Sequence, residues 1–378
     1  MNIGFLSPGD PLDKKSWSGT YYSLYKSIEK RGYNVISISP MVYSKTQIRI
    51  MKVFTKVHHL ITKKKYNPIH NFIMANFAAR FFTKKLIQHK IDIIFAPCAS
   101  TEFVLLKTDL PIVYLSDTSF NQVRDYYGWW TDLSDYSIKE SNKIEKMAME
   151  KSKAIIYSSQ WAADYAVSFY KIDPNKINVI GFGANLETPE QISFVKDYDH
   201  TITFLFLGVD WIRKGGDIAL KTVEKLHEIG YNVKLIVCGC VPPVGSKVME
   251  VIPFLNKNKS EDNLRLQQLL TESHFLFLPT RADCTPIVFC EAAAYGLPII
   301  TTDTGGVTSI VENTVNGYAL PFNAGINEYV ETIKSLLNDP EKIKSISKSA
   351  RLKYETELNW DVFGEKFQYL IDSLQVKS

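Results

Sequence analysis

Short apolar runs alternate with longer amphipathic stretches from one end of the chain to the other. That rhythm predicts repeated strand–helix units and, with them, parallel sheets. In the first half the runs predicted as strands are residues 3–6, 35–39, 91–96, 112–115, 154–157 and 177–180. Between the first two, Tyr21, Leu24, Tyr25 and Ile28 share one helical face, and Gly32 supplies the stop. The second half repeats the pattern, with strands predicted at 202–207, 233–238, 275–278 and 298–301. A helix after Gly216 carries Ala219, Val223 and Leu226 on one side.

A chain of 378 residues exceeds what one core usually serves, so two domains are expected. Residues 185–200 are polar and lack periodicity, which makes them the natural linker. The expected fold is α/β, with two Rossmann-like, doubly wound domains over 1–188 and 200–358. The last helix, within 360–378, is amphipathic and is a candidate to join the first domain. Open parallel sheets bind ligands beyond the carboxyl ends of their strands. Two such domains facing each other therefore place the expected active site in the cleft between them.

Net charge is +4, too small to matter unless unevenly spread. Cys98, Cys238, Cys240, Cys284 and Cys290 form no CxxC pair and have no histidine at zinc-finger spacing. Scattered thiols of this kind point to a reducing, cytoplasmic setting. The opening MNIGFLSPGDPLDKK lacks the apolar core of a signal peptide. No apolar run approaches the roughly 20 residues of a membrane-spanning helix.

The densest motif is LPTRADCTPIVFCEAAAYGLPIITTDTGGV, residues 278–307. A buried strand ends, a loop of small and polar residues follows, and a helix is predicted to begin near Val288. Such a helix start at a strand's carboxyl end is a ready anion site. Glu291 is expected in its first turn, where it could accept both hydroxyls of a ribose, and Asp283 is placed to bind sugar hydroxyls. Equally, Glu291 could complement the helix dipole and Asp283 could cap a turn. A second motif, FLGVDWIRKGGDIAL at 206–220, sets Arg213 and Lys214 on a loop before a glycine-opened helix. That arrangement suits a pyrophosphate, whose charge grows as a glycosidic bond breaks; a solvated basic turn is the plainer reading.

The first motif resembles the E-x7-E signature of the family 4 retaining glycosyltransferases, which have the GT-B fold. The second is similar to their G-R-x-x-x-x-K-G element. The resemblance implies that Asp283 contacts the donor sugar and Glu291 the ribose. Thr285, Ile287 and Val288 would offer backbone groups, with Lys214 at the diphosphate. Asp283 stands where the family has Glu, and Pro286, lacking an N–H, where it has Gly. Val209 takes the family's arginine position, so Arg213 would substitute.

WSGTYY at 17–22 resembles the family's glycine-rich loop, in which Gly19 would let phosphate or acceptor approach backbone. CGCVPP at 238–243 resembles its strand-end glycine turn, with a structural role for the thiols. In YLSDTSF, 114–120, Asp117 stands about where the family has a histidine. It could orient the acceptor hydroxyl, act as its base, or cap a turn.

Charge is unevenly spread after all. No acidic residue occurs between Glu29 and Asp92, a span rich in lysine and arginine with apolar residues interleaved. Residues 45–90 suit an anionic membrane surface; a solvated face around an acceptor pocket is the alternative, and no nucleic-acid motif is present. The expected enzyme moves a hexose from a UDP- or GDP-linked donor to a surface glycan or lipid-linked acceptor. It would act at the inner face of the plasma membrane. No DxD pair stands at a strand end in the context of a metal–diphosphate site, so the expectation is metal-independent transfer without a cofactor. The competing expectations are a nucleotide-sugar hydrolase or epimerase on the same fold, and a non-catalytic nucleotide-sugar-binding subunit.

Overall fold

The computed structural model describes residues 1–194, 196–198 and 200–376. Val195 and Asp199 of the expected linker, and residues 377 and 378 of the expected last helix, lie outside the described residues. Two compact units form, Met1–Ile180 with Gly364–Ser378, and Gly181–Phe363.

The first unit is built on β1 (Asn2–Phe5), β2 (Asn34–Ser37), β3 (Ile93–Pro97), β4 (Ile112–Ser116), β5 (Ala154–Tyr157) and β6 (Ile177–Val179). They pair in parallel in the order β2-β1-β3-β4-β5-β6. From β1 the chain winds one way to β2 and then the other way to β3 and beyond. The reversal therefore lies between β1 and β3. Its helices are α1 (Thr20–Lys30), α2 (Lys45–Thr62), α3 (Phe72–Gln88), α4 (Ser100–Phe103), α5 (Phe120–Val123), α6 (Asp135–Lys151) and α7 (Gln160–Ser168). On α1 the expected face is buried at Tyr21, Leu24 and Ile28, while Tyr25 stays partly exposed and donates its hydroxyl to Val35 O at 2.7 Å.

The second unit carries β7 (Ile202–Leu207), β8 (Val233–Cys238), β9 (Met249–Ile252), β10 (Phe275–Leu278), β11 (Ile299–Thr302) and β12 (Gly317–Leu320). These strands too are parallel, ordered β12-β11-β10-β7-β8-β9, so winding reverses between β7 and β10. The helices are α8 (Gly216–Glu228), α9 (Ser260–Glu272), α10 (Ile287–Ala294), α11 (Ile326–Leu337) and α12 (Pro340–Thr356). Each unit has its own apolar core, one centred on Ile94, Tyr114 and Ile155, the other on Phe204, Leu235 and Phe277.

The sequence reading lacks β9 and β12. β9 is a half-exposed edge strand with no apolar run. β12 opens on Gly317, where a Cβ would lie 2.1 Å from Ile299 O, so the pairing of the strand requires the residue that weakens its sequence signal. The division between units falls after Ile180 rather than within 189–199. Phe182 already stacks on Trp360, and Ala184 and Leu186 pack into the second core. The last helix, α13 (Trp360–Val376), belongs to the first unit from Gly364 onward, where Phe367 meets Phe95 edge-on at 5.1 Å.

Candidate active site

Ligands of doubly wound sheets sit where the winding reverses. In the second unit that point is flanked by the loops after β7 and β10. Gly215 has φ +76°, and a Cβ there would lie 1.9 Å from Pro279 O. A Cβ on Gly216 would lie 2.1 Å from the Trp211 ring. Gly215 thus lets the two loops close on each other, and Gly216 lets the first fold back on its own Trp211. Once closed, they are joined by Arg281 N–H donating to Arg213 O at 2.8 Å and Arg213 Nη1 donating to Ala282 O at 2.9 Å.

Closure brings Lys214 and Asp283 together: the Nζ donates to Oδ2, and both residues are more than nine-tenths buried. Gly306 N–H donates to Asp283 O at 3.1 Å, which adds the 305–306 glycine loop to the same crevice. Arg281 clamps Asp217, at the start of α8, through two bonds of 2.7 and 2.8 Å. That hydrogen-bonded guanidinium holds the Asp217 carboxyl below the usual carboxylate range.

The loop then runs through Thr285, largely buried, to α10, which starts at Ile287 behind Pro286. Pro286 is the N-cap, in extended backbone, and the helix starts one residue earlier than expected. Glu291 consequently lies in the second turn of α10, not the first as the sequence predicts, and the first turn holds no acidic residue. The amides of Ile287 and Val288 have no preceding helical carbonyls and face the helix entry. Glu291 is 2% exposed, and its Oε1 accepts from Lys257 Nζ at 2.5 Å. A buried carboxylate with a dedicated ammonium does more than complement a dipole. Lys257 is absent from the sequence reading because it lies in a polar loop, 253–259, with no motif around it.

In the first unit, Gly19 caps the start of α1 at φ +93°, preceded by Trp17 and Ser18 at +47° and +57°. Asp117 follows β4 directly, half-buried and electrostatically coupled to Tyr21 and Cys98. The loops after β7 and β10 thus bring Arg213, Lys214 and Asp283 together; Thr285, Ile287, Val288 and Glu291 follow along the chain into α10, while Gly19 and Asp117 belong to the first unit. Among the described residues no group of three or more His, Cys, Asp or Glu side chains could hold a metal ion. No helix among them is long and apolar enough to cross a membrane.

Two doubly wound parallel sheets of this kind define the GT-B fold. Over the whole chain the structure is similar to sucrose-phosphate synthase from Thermosynechococcus elongatus, with TM-score 0.72, 15% identity and both chains fully covered. It is also similar to the lipopolysaccharide outer core galactosyltransferase WaaB, with TM-score 0.67, 14% identity and 99% of each chain covered. In sequence, residues 20–188 match the model described as Glycosyltransferase Family 4, and residues 188–353 the one described as Glycosyl transferases group 1. The chain belongs to this family and is a glycosyltransferase.

An uncharacterised 41.2 kDa protein in the cps region of Klebsiella pneumoniae is 21% identical over 81% of this chain and 80% of its own length. Spore coat protein SA of Bacillus subtilis is 36% identical over 43% of this chain, which spans 38% of that protein. D-inositol 3-phosphate glycosyltransferase of Mycobacterium sp. is 24% identical over 51% of this chain, which spans 47% of that enzyme.

Proposed function

We propose that the second unit binds a nucleoside-diphosphate hexose and that the enzyme transfers the sugar with retention, without a metal or cofactor. The observation that carries this reading is the buried Lys214–Asp283 pair at the winding reversal, with Glu291 behind it on α10. An ammonium has three donors, so Lys214 can keep Asp283 and still reach a diphosphate oxygen. Asp283 takes a sugar hydroxyl. Glu291 takes the ribose hydroxyls, Arg213 the diphosphate, and Thr285, Ile287 and Val288 supply backbone contacts.

In the reaction the anomeric C–O bond to the diphosphate breaks while the acceptor oxygen bonds to the same face. The acceptor proton passes to the leaving diphosphate. Lys214 and Arg213 act as catalytic groups by neutralising the charge that develops there. Asp117 orients the acceptor hydroxyl, and Gly19 gives the acceptor or phosphate access to backbone. HepE of Anabaena, TM-score 0.64, has been solved in complex with UDP, so UDP is the first ligand to try. Titration with UDP and GDP, each with and without hexose, tests the donor reading. If no nucleoside diphosphate bound, it would fail.

The acceptor in this reading is a surface glycan or a glycolipid, reached from the cytoplasmic face of the plasma membrane. Helix α2 supports peripheral contact through the 45–90 region. Its inner side, with Met51, Phe54 and His58, packs on the unit, where Phe54 meets Tyr66 at 4.8 Å. Outside, Ile50, Val53, Val57, Leu60 and Ile61 form a stripe with each side chain at least 45% exposed. A second exposed stripe beside it carries Lys45, Arg49, Lys52 and Lys56. An exposed apolar stripe flanked by cations fits an anionic lipid surface.

A further inference from the structure

The first unit holds a buried carboxyl that the transfer reading leaves unused. Glu102 lies on α4, just beyond the carboxyl end of β3, and is 6% exposed. β3 is one of the two strands between which the winding reverses, so Glu102 stands where a doubly wound sheet takes its ligand. Among the described residues, no other residue donates a hydrogen bond to its carboxyl. Burial pushes that carboxyl up to about 7, opposed by His70 and by its own backbone N–H.

Several polar groups lie within electrostatic range of it. Tyr21 of α1 and Tyr43 after β2 both feel its charge, and Tyr21 also feels Cys98 after β3 and Asp117 after β4. His70, before α3, shares a network with Ser100 at 3.0 Å and, through Ser100, with Glu145 of α6. The other ring nitrogen of His70, Nδ1, is buried without a hydrogen-bond partner. The rings of Trp17 and Tyr21 lie 5.1 Å apart at the same end of the sheet. A buried carboxyl with no donor beyond its own backbone N–H, a buried imidazole nitrogen lacking a partner and aromatic rings at the same end of the sheet are the groups that a hydroxyl-bearing ring would engage.

We propose that Glu102 is the residue with which the first unit recognises the acceptor, accepting hydrogen bonds from hydroxyls of a pyranose. The proposal deepens the transfer reading and rests on it for the word acceptor. Unlike that reading, it makes no claim on the second unit. Hydroxyl donors stabilise the ionised carboxyl, so binding releases a proton and tightens as pH rises through 7. Tyr21, Tyr43 and His70 are the titratable groups in electrostatic contact with Glu102, and Cys98, Asp117 and Glu145 adjoin them.

The test uses the full chain with saturating UDP and a panel of methyl pyranosides, read by saturation-transfer NMR at pH 6 and pH 8. At least one pyranoside is expected to bind the wild type about tenfold more tightly at pH 8. E102Q should lose most of that affinity and all of its pH dependence, and E102L should lose both, with UDP affinity unchanged in each. Wild-type affinity and pH profile in either variant would overturn the proposal, as would the absence of any pyranoside binding to wild type. A pH dependence surviving in E102Q would belong to another group and would also overturn it. UDP titration alongside keeps the two readings apart, since loss of nucleotide binding in the wild type condemns the donor site and not Glu102.

Discussion

Glu102 also leaves a mark on stability. Its carboxyl titrates near 4.5 in the unfolded chain and at about 7 in the fold, so between those values the folded state keeps a proton the unfolded state has lost. The contribution of Glu102 to the stability of the first unit should therefore be greatest at acid pH, fall as pH rises through that window, and level off above it. A shift of this size corresponds to roughly 3 kcal/mol. E102Q should flatten the profile and melt higher than wild type at pH 8; parallel profiles would show that the carboxyl is not protonated in the fold. In the second unit the two acids should behave differently. Glu291→Ala should weaken binding of bare UDP by roughly 1.5–3 kcal/mol, the worth of a charged hydrogen bond. Asp283→Ala, whose carboxylate the proposal assigns to the sugar and not to the nucleotide, should weaken it less, and equal losses in calorimetry would contradict the assigned roles. Lys214→Ala should lower turnover by about a hundredfold beyond any change in donor affinity. A rise in KM alone would make Lys214 a binding residue only.

At the scale of elements, Gly215 is a position where one methyl group should undo a site. It needs φ +76° and has Pro279 O where a Cβ would go, so Gly215→Ala should cost the second unit roughly 3 kcal/mol or more. A melting temperature within a degree of wild type would mean the loops do not close as described. The strands with continuous apolar runs were legible in sequence: residues 154–157, 202–207, 233–238 and 275–278 are strands with those limits. Interior parallel strands bury both faces, and composition records that directly. Edge strand β9 and glycine-led β12 escaped because pairing with a neighbour, not composition, holds them. The same contrast runs through the candidate site. Asp283 and Lys214 were visible because motif spacing places them on loops after strands, and Glu291 because it follows Asp283 at the motif's spacing, in the helix that the loop leads into. Lys257 and Glu102 were not, since what singles them out is burial and partnership created by chain crossings. Helix α2 lies between these cases: its charge was plain in sequence, but its exposed apolar stripe beside the packed Met51 side appears only in the fold. Replacing Arg49, Lys52 and Lys56 with serine should weaken binding to anionic vesicles by roughly 3 kcal/mol, at about 1 kcal/mol per cation. Unchanged sedimentation at low salt would return α2 to an ordinary solvated face.

At the scale of the molecule, each unit has a separate apolar core and a separate parallel sheet. Cooperativity follows shared burial, so unfolding should proceed in two transitions, each answering to its own ligands and titrations. UDP stabilises only the state that binds it, by RT ln(1 + [L]/Kd), which is about 2.7 kcal/mol at a hundredfold excess over Kd. If the donor site is the crevice of Lys214, Asp283 and Glu291, that increment belongs to the transition of residues 181–363. The transition of residues 1–180 should stay in place, and E102Q should do the reverse, flattening the pH dependence of the first transition and leaving the nucleotide-sensitive one alone. Hydrogen exchange read by mass spectrometry can assign the two. Protection on adding UDP is expected in peptides covering 208–217 and 279–292, with 98–104 unchanged. Adding a pyranoside should protect 98–104. Nucleotide protection confined to the first unit would mean that the donor roles given to Lys214, Asp283 and Glu291 are wrong, even though the fold and family stand.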